Sequence, residues 1–230
     1  MTNSRWLRPA LMCGLLAASS AANAGFILSN PGAPSHTILP NNDFISELAS
    51  HGVTSFQLGS SLQLTAPATL TFELWGSEAG YDNTLLAGGT TLLSTVGVAR
   101  EVWGNVQQAT YTFGAGTLDL TFCALSISKC LSNANNPSSD GLQSIGMWVD
   151  PAGTTAWLLW DDSGAGPDDN HDDMVVRVRI SSATAVPEPS TVALLSLSLA
   201  GFGWFVLRQR QQRRRRSIEL PLGQLSRRFR

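Results

Sequence analysis

The sequence predicts an all-β protein, and three observations lead to that fold class. Several segments alternate apolar and polar residues with a period of two, which is the pattern of a strand with one buried face. Clusters of Gly, Asn, Asp and Pro separate these segments at short intervals, as turns do. Between residues 25 and 185, no segment keeps a 3.6-residue period for three turns. We therefore predict a single β-sandwich, jelly-roll-like in topology, with an N-terminal signal peptide and a C-terminal transmembrane helix.

The strand pattern is clearest in three segments. Residues 69–75 and 117–122 place Leu or Phe at every second position, so one face of each strand is expected to be buried. Residues 174–180 alternate in the same way, and there we expect Arg177 and Arg179 to face solvent.

Two other segments depart from this alternation. The continuous apolar run of residues 157–160 fits a strand that is covered on both faces. Residues 42–48 are expected to form one short helical turn, with Asn42 or Asp43 as its cap.

The N-terminus has the three parts of a secretory signal peptide. Arg5 and Arg8 form a positive n-region, residues 10–20 are apolar and small, and Ala22-Asn23-Ala24 is an A-x-A cleavage site. The mature chain is therefore expected to begin at Gly25. We divide the chain into a signal peptide (1–24), an exported domain (25–185), a sorting signal (186–216) and a basic cytoplasmic tail (217–230).

The C-terminal region combines a short motif, an apolar run and a basic cluster. Pro187, Glu188 and Pro189 precede the predicted transmembrane helix of residues 191–207, which contains no charged residue. The arginines that follow would stop transfer and stay cytoplasmic; they are Arg208, Arg210, Arg213, Arg214, Arg215 and Arg216. A plain membrane anchor without processing is the simpler alternative, but it does not account for the Pro-Glu-Pro motif.

This arrangement resembles the PEP-CTERM sorting signal of Gram-negative bacteria, which exosortases recognise. The resemblance implies that an exosortase, a membrane cysteine protease or transpeptidase, acts near Pro187-Glu188-Pro189. The chain would be anchored transiently in the inner membrane and then released or transferred to the cell surface or the extracellular space. Such systems accompany exopolysaccharide and biofilm production, so exopolysaccharide or matrix components are further expected partners.

The charge of the exported domain excludes one class of partner. Only four of the 15 Lys and Arg lie between residues 25 and 186, whereas 15 of the 17 Asp and Glu do, so this region has a formal net charge of −11. Such a domain has no basic patch to neutralise phosphates, which argues against nucleic acid and anionic membrane surfaces. Cations are its natural partners.

Cys123 and Cys130 are the only cysteines of the mature domain. An exported chain meets an oxidising compartment, so a disulfide between them is expected. Two free buried thiols are the simple alternative, and metal binding through two cysteines alone is a weaker one.

The densest acidic segment lies in the loop that joins the predicted strands 157–160 and 174–180. Hard oxygen ligands on a flexible loop in an exported protein favour Ca²⁺, and like charges this close repel each other unless a proton or cation intervenes. The predicted ligands are Asp161, Asp162, Asp168, Asp169, Asn170, Asp172 and Asp173. The loop is not an EF-hand, because Asp173 stands where Gly is needed and Arg179 where the bidentate Glu belongs. A solvated acidic loop is the alternative.

Residues 157–180 and 71–85 resemble segments of exported bacterial domains of the DUF4114 type, whose function is unknown. The resemblance implies calcium binding by the acidic loop. Glu78, Asp82 and Asn83 would complete the site if the two segments meet in space, although turn chemistry accounts equally well for residues 80–83.

The sequence favours a structural or adhesive surface module over an enzyme. It has no G-x-S-x-G elbow and no H-E-x-x-H motif, and its three histidines are isolated. The alternative is a secreted polysaccharide-binding protein or glycoside hydrolase, for which Glu73 and Glu78 are candidate paired carboxylates. The five tryptophans of the exported domain are more simply interpreted as core residues.

Overall fold

The computed structural model describes residues 23–78, 80–139, 143–163, 170–183 and 197–211. Residues 22–186 form one compact unit, and the helix over residues 197–211 belongs to a second unit that is described by itself. Several predicted features lie outside the described residues. These are the signal peptide up to Ala22, the loop residues Asp168 and Asp169, the motif Pro187, Glu188 and Pro189, and the arginines Arg213, Arg214, Arg215 and Arg216.

The larger unit is built mostly of β-strands, as the alternating pattern predicts. Its strands are β1 (Phe26–Leu28), β2 (Ser35–Thr37), β3 (Ser55–Gln57), β4 (Leu62–Leu64), β5 (Ala68–Ser77), β6 (Asn83–Ala87), β7 (Thr90–Ser94), β8 (Val102–Phe113), β9 (Gly116–Thr117), β10 (Leu120–Ala124), β11 (Lys129–Ser132), β12 (Ser144–Val149), β13 (Thr155–Asp161) and β14 (Met174–Ala183). Among the described residues, the only α-helix of this unit is α1 (Ile45–Ser50), and short 3-10 turns occupy Leu125–Ile127 and Asn133–Asn135.

The strands form three antiparallel sheets. The largest has the order β2-β3-β12-β13-β14-β5-β8, the second β11-β10-β6-β7 and the third β1-β4-β9. Alternate residues of the seven-stranded sheet, such as Leu70, Phe72 and Leu74, point into a core that also takes side chains from the other two sheets. One core shared by facing sheets is the arrangement that a sandwich requires.

A second, smaller core covers part of the opposite face of the seven-stranded sheet, which we call the outer face. Phe44 and Leu48 of the α1 region pack there against Trp157, Leu159 and Val175. Two glycines make room for this contact, because a Cβ on Gly76 would lie 2.8 Å from the Phe44 ring and one on Gly146 2.7 Å from the Phe56 ring. The run 157–160 is therefore buried on both faces, as predicted.

The predicted helical turn exists, but the prediction of its cap residue is wrong. Helix α1 begins at Ile45 with Phe44 as N-cap, and no side chain caps it. Asn42 instead accepts a hydrogen bond from the Phe44 N–H through Oδ1 (2.9 Å) and donates through Nδ2 to the Asn170 carbonyl (2.8 Å). Asn42 therefore fastens this segment to the acidic loop and does not start the helix.

The expectation that Arg177 and Arg179 face solvent is only half right. Strand β14 lies between β13 and β5, and both arginines form ion pairs with Glu73 of β5. The Arg177 side chain is 19% exposed, whereas that of Arg179 is 49% exposed. Val175 is also fully buried, because the outer face is partly covered at this position.

The predicted disulfide is confirmed. Cys123 and Cys130 lie directly opposite each other in the β10–β11 hairpin and are joined by a disulfide. The bond closes the turn that contains the Leu125–Ile127 3-10 helix.

A helix over residues 197–211 is the described part of the C-terminal region, and it includes Arg208 and Arg210. Among the described residues, no helix is both long and apolar enough to span a membrane. Residues 191–196 of the predicted span 191–207 lie outside them, so the transmembrane helix stays a prediction.

Candidate metal centre

The described ends of the acidic loop between β13 and β14, residues 161–163 and 170–173, are mostly buried, which is not the pattern of a solvated segment. The loop's described carboxylates and amides lie at the β13 end and the β14 start, and most are inaccessible to solvent. Their exposed fractions are 0% for Asp161, 2% for Asp162, 6% for Asn170, 0% for Asp172 and 3% for Asp173. Burying this many carboxylates is costly unless protons, hydrogen bonds or a cation compensate their charge.

Backbone N–H groups satisfy part of this charge. The Asp162 N–H donates to Asp173 Oδ2 (2.8 Å), and the Asp43 N–H donates to Asp172 Oδ2 (2.8 Å). Ser163 donates its N–H to Asp161 Oδ1 (3.1 Å). The loop is thus folded around its own carboxylates, with help from the segment that precedes α1.

Glu78, which follows β5, joins this cluster. Carboxylate oxygens of Glu78, Asp172 and Asp173 lie within 4.8 Å of one another, close enough to share one cation. The Glu78 N–H also donates to the Asp172 carbonyl at 3.2 Å. Glu78 is therefore part of the site, as the sequence predicts if the two segments meet.

Asn83 of β6 reaches the same cluster, whereas Asp82 does not face it. Asn83 donates through Nδ2 to Asp162 Oδ2 at 2.7 Å and is fully buried. The exposed Asp82 uses its backbone N–H and carbonyl to bond Ser126 and Leu125 instead. Three segments that are remote in sequence therefore supply the site.

Two buried amide oxygens of the cluster lack a hydrogen-bond partner among the described residues. They are Asn83 Oδ1 and Asn170 Oδ1. A buried carbonyl oxygen without a donor is unfavourable in a protein interior, and it is also a ligand that hard cations accept. The donor set of this site therefore consists of hard oxygens.

The surroundings of Asp173 disfavour its ionised form. Burial raises the pKa of Asp173 to about 9, and the neighbouring carboxylates of Asp162, Asp161 and Asp172 add to the rise. The hydrogen bond from the Asp162 N–H opposes it only in part. Without a cation the site is expected to hold a proton at neutral pH, and a cation would replace it.

His171 has a structural contact through one ring nitrogen. Its backbone has φ of 60°, in the left-handed region, and its Nε2 lies 2.8 Å from Ser144 Oγ. The ring also packs on Phe56 with centroids 4.4 Å apart. Sequence inspection could not pair Ser144 with His171, because 27 residues separate them. Both side chains are buried, so the pair is placed to hold the loop rather than to meet a substrate.

Glu73 and Glu78 lie in different surroundings. Glu73 Oε2 accepts from Arg177 Nε (2.5 Å) and Trp75 Nε1 (2.9 Å), and Oε1 accepts from Arg179 Nη2 (2.5 Å). Burial alone would raise the pKa of Glu73, but these hydrogen bonds outweigh it and hold the pKa below its usual value. The acid of a glycosidase pair requires a raised pKa, which is the opposite of the shift at Glu73.

Comparison with known protein families finds a match in the C-terminal region of the chain. Residues 185–211 match the model of the PEP-CTERM protein-sorting motif. The chain carries a PEP-CTERM sorting motif. No curated protein and no solved structure matches the chain.

The PEP-CTERM motif implies that the chain is exported and processed by an exosortase, with a sorting signal that associates with the membrane. In the described helix 197–211, large apolar side chains such as Leu197, Phe202 and Trp204 are 63–69% exposed. Arg208 lies over the Trp204 ring at 5.0 Å. Exposed apolar side chains next to arginines suit the boundary between lipid and water.

The remaining predictions about sites are not tested by the match. Of the signal-cleavage residues, Ala24 is buried in the main core and Gly25 donates its N–H to Thr65 Oγ1 at 2.8 Å. Cleavage after Ala24 stays a prediction, and so does the resemblance of the acidic loop to DUF4114-type domains.

Proposed function

We propose that the protein is a structural or adhesive module of the cell surface or extracellular matrix, and that calcium stabilises its β-sandwich domain. The observation that carries this proposal is the cluster of the buried Asp161, Asp162, Asp172 and Asp173 with the half-buried Glu78 in an exported domain. The cluster ties β5, β6 and the β13–β14 loop together near the segment that precedes α1. A cation bound there would hold these four parts of the fold together.

The residues present fit a calcium ion. Ca²⁺ takes six to eight oxygen ligands in a flexible geometry, and the cluster offers carboxylates together with the amide oxygens of Asn83 and Asn170. Extracellular calcium modules bind with Kd of about 10⁻⁴–10⁻³ M, so a site of modest affinity is sufficient outside the cell. When bound, the ion would supply positive charge; the protein residues would supply the geometry.

The proposed route begins with the signal peptide 1–24 and continues with a transient anchor at residues 191–207. The exosortase would recognise Pro187, Glu188 and Pro189 and transfer or release the domain. Exopolysaccharide or matrix material would then surround it. This route leaves the β domain as the part that acts outside the cell.

Cell fractionation tests the route. Pro187→Ala combined with Glu188→Ala should leave the chain uncleaved in the inner membrane. The control is Glu219→Ala combined with Pro221→Ala, which removes the same residue types outside the motif. Normal release of the motif variant would disprove the route.

A deletion strain tests the structural or adhesive role. Loss of the protein should weaken attachment of the matrix, and the wild-type gene should restore it in millimolar calcium. Asp173→Asn should restore it less well than Asp119→Asn, because Asp119 is exposed and outside the cluster. Unchanged matrix cohesion in the deletion strain would contradict the role.

A further inference from the structure

The outer face of the seven-stranded sheet carries a row of polar residues beyond the area that α1 covers. Glu73 of β5 lies opposite Arg177 of β14 and Gln108 of β8. Thr71 lies opposite Arg179 and Thr110 in the next row. Residues directly opposite in an antiparallel sheet point to the same face, so these side chains form one surface.

Part of this surface is accessible, although Glu73 and Thr71 themselves are buried. Gln108, Thr110, Thr112 and Ser181 are exposed, and the Arg179 side chain is 49% exposed. Arg179 bonds Glu73 through Nη2, and its guanidinium carries five N–H donors, so donors remain for a ligand. Exposed polar side chains therefore surround the buried Glu73 and Thr71 on this part of the sheet.

The charge of this surface is opposite to that of the domain. Between residues 25 and 186 the net charge is −11 and there are four cationic residues, two of which are Arg177 and Arg179. They share a single carboxylate, Glu73, which leaves one net positive charge. The nearby Asp150 is engaged by the N–H groups of Thr154 and Thr155 at 2.7 and 3.0 Å.

Aromatic rings border the arginines. The Arg177 guanidinium lies 4.1 Å from the centre of the half-buried Trp75 ring, and Trp75 Nε1 is fixed by Glu73. Trp148 is half-buried and lies opposite Trp157 in the neighbouring strand pair. Because these rings and guanidinium groups are held in place by the fold, little side-chain entropy would be lost on binding.

We propose that this part of the outer face binds an acidic polysaccharide through its carboxylate groups. Arg179 makes the first contact, since a guanidinium can donate two parallel hydrogen bonds to a carboxylate. The exposed threonines and Gln108 meet hydroxyl groups, and the half-buried Trp75 and Trp148 offer apolar surface to the sugar rings. The proposal rests on the surface role above but not on the calcium site.

The test uses the full chain in mild detergent and two immobilised probes, polygalacturonate and neutral dextran, in the presence of a chelator. The protein should bind polygalacturonate and not dextran, and binding should fall as salt rises. Arg179→Gln should weaken binding about tenfold, which corresponds to about 1.4 kcal/mol. Arg179→Lys should give an intermediate loss, because lysine keeps the charge but cannot donate two parallel hydrogen bonds to one carboxylate.

Arg100→Gln is the matched control, since Arg100 is exposed and its substitution removes the same charge at a different place on the domain. Thermal unfolding of each variant shows whether it is folded. Equal losses for Arg100→Gln and Arg179→Gln, or equal binding to dextran, would overturn the proposal. Binding that requires calcium would also overturn the proposal, because the ion would then bridge two acidic partners. None of these results changes the outcome expected in the sorting and calcium experiments.

Discussion

Strands β13 and β14 are next to two charged clusters that are neutralised in different ways. Around Glu73, one buried carboxylate meets two arginines and a Trp N–H, so the polypeptide itself balances the charge. In the acidic loop, four buried aspartates lie close together and accept hydrogen bonds from backbone N–H groups and from Asn83 Nδ2. The opposite directions of the pKa shifts, lowered for Glu73 and raised for Asp173, express this difference. The first cluster pairs its carboxylate with cations of the protein, whereas the second favours a protonated carboxyl group or, as we propose, a bound cation.

Removal of Glu73 should have the largest effect on stability. Glu73→Ala leaves Arg177 and Arg179 without their shared counter-charge, and breaking a buried ion pair costs about 3–5 kcal/mol, with the lower end expected because Arg179 is half exposed. Urea unfolding measures the change. Glu47→Gln, at a partly exposed helix residue, should change stability by less than about 0.5 kcal/mol. A loss below about 1 kcal/mol for Glu73→Ala would show that the cluster is not a structural one.

The two arginines should differ in their contributions. Arg177→Gln should cost about 2 kcal/mol, because Arg177 is more buried and also stacks on Trp75. Arg179→Gln should cost about 1 kcal/mol or less, because solvent screens its half-exposed ion pair. Equal losses in urea unfolding would argue against the stacking contact.

The two clusters should also differ in the sign of their pH dependence. The pKa of Glu73 is lowered in the folded state, so its contribution is present above the unfolded pKa near 4.5 and is lost as pH falls through the folded value. The pKa of Asp173 is raised to about 9, so its contribution in chelator is present below 3.8 and is lost as pH rises through about 9.

Unfolding curves in chelator between pH 5 and 9 isolate the contribution of Asp173 to the pH dependence of stability. Stability should decline as pH rises in this window, and Asp173→Asn should flatten the decline because the amide does not titrate. A decline of the same slope in Asp173→Asn would show that another group is responsible.

The sequence predicted the local features of this fold well. Period-two patterns located β5, β10 and β14, and the Cys123–Cys130 pair followed from compartment and spacing. The loop of aspartates was recognised as one site because its members are close along the chain.

Contacts between remote segments could not be predicted in the same way. Glu73 is 104 and 106 residues from Arg177 and Arg179, and only the register of β5 on β14 brings them together. Asn42 lies 128 residues from Asn170, so the sequence did not show that it bonds the loop, and its position before a helix favoured a capping role instead. Local pattern gives the faces of strands, but sheet order decides which faces meet.

The most direct test of cation binding by the acidic cluster is thermal unfolding of the full chain in millimolar Ca²⁺ and in chelator. An ion at about 100 times its Kd adds about 2.7 kcal/mol, which raises Tm by about 5–10 °C for a domain of this size. The rise should vanish in Asp172→Asn combined with Asp173→Asn and persist in Asp119→Asn. An unchanged Tm in the wild-type chain, or an equal rise in the double variant, would contradict the account.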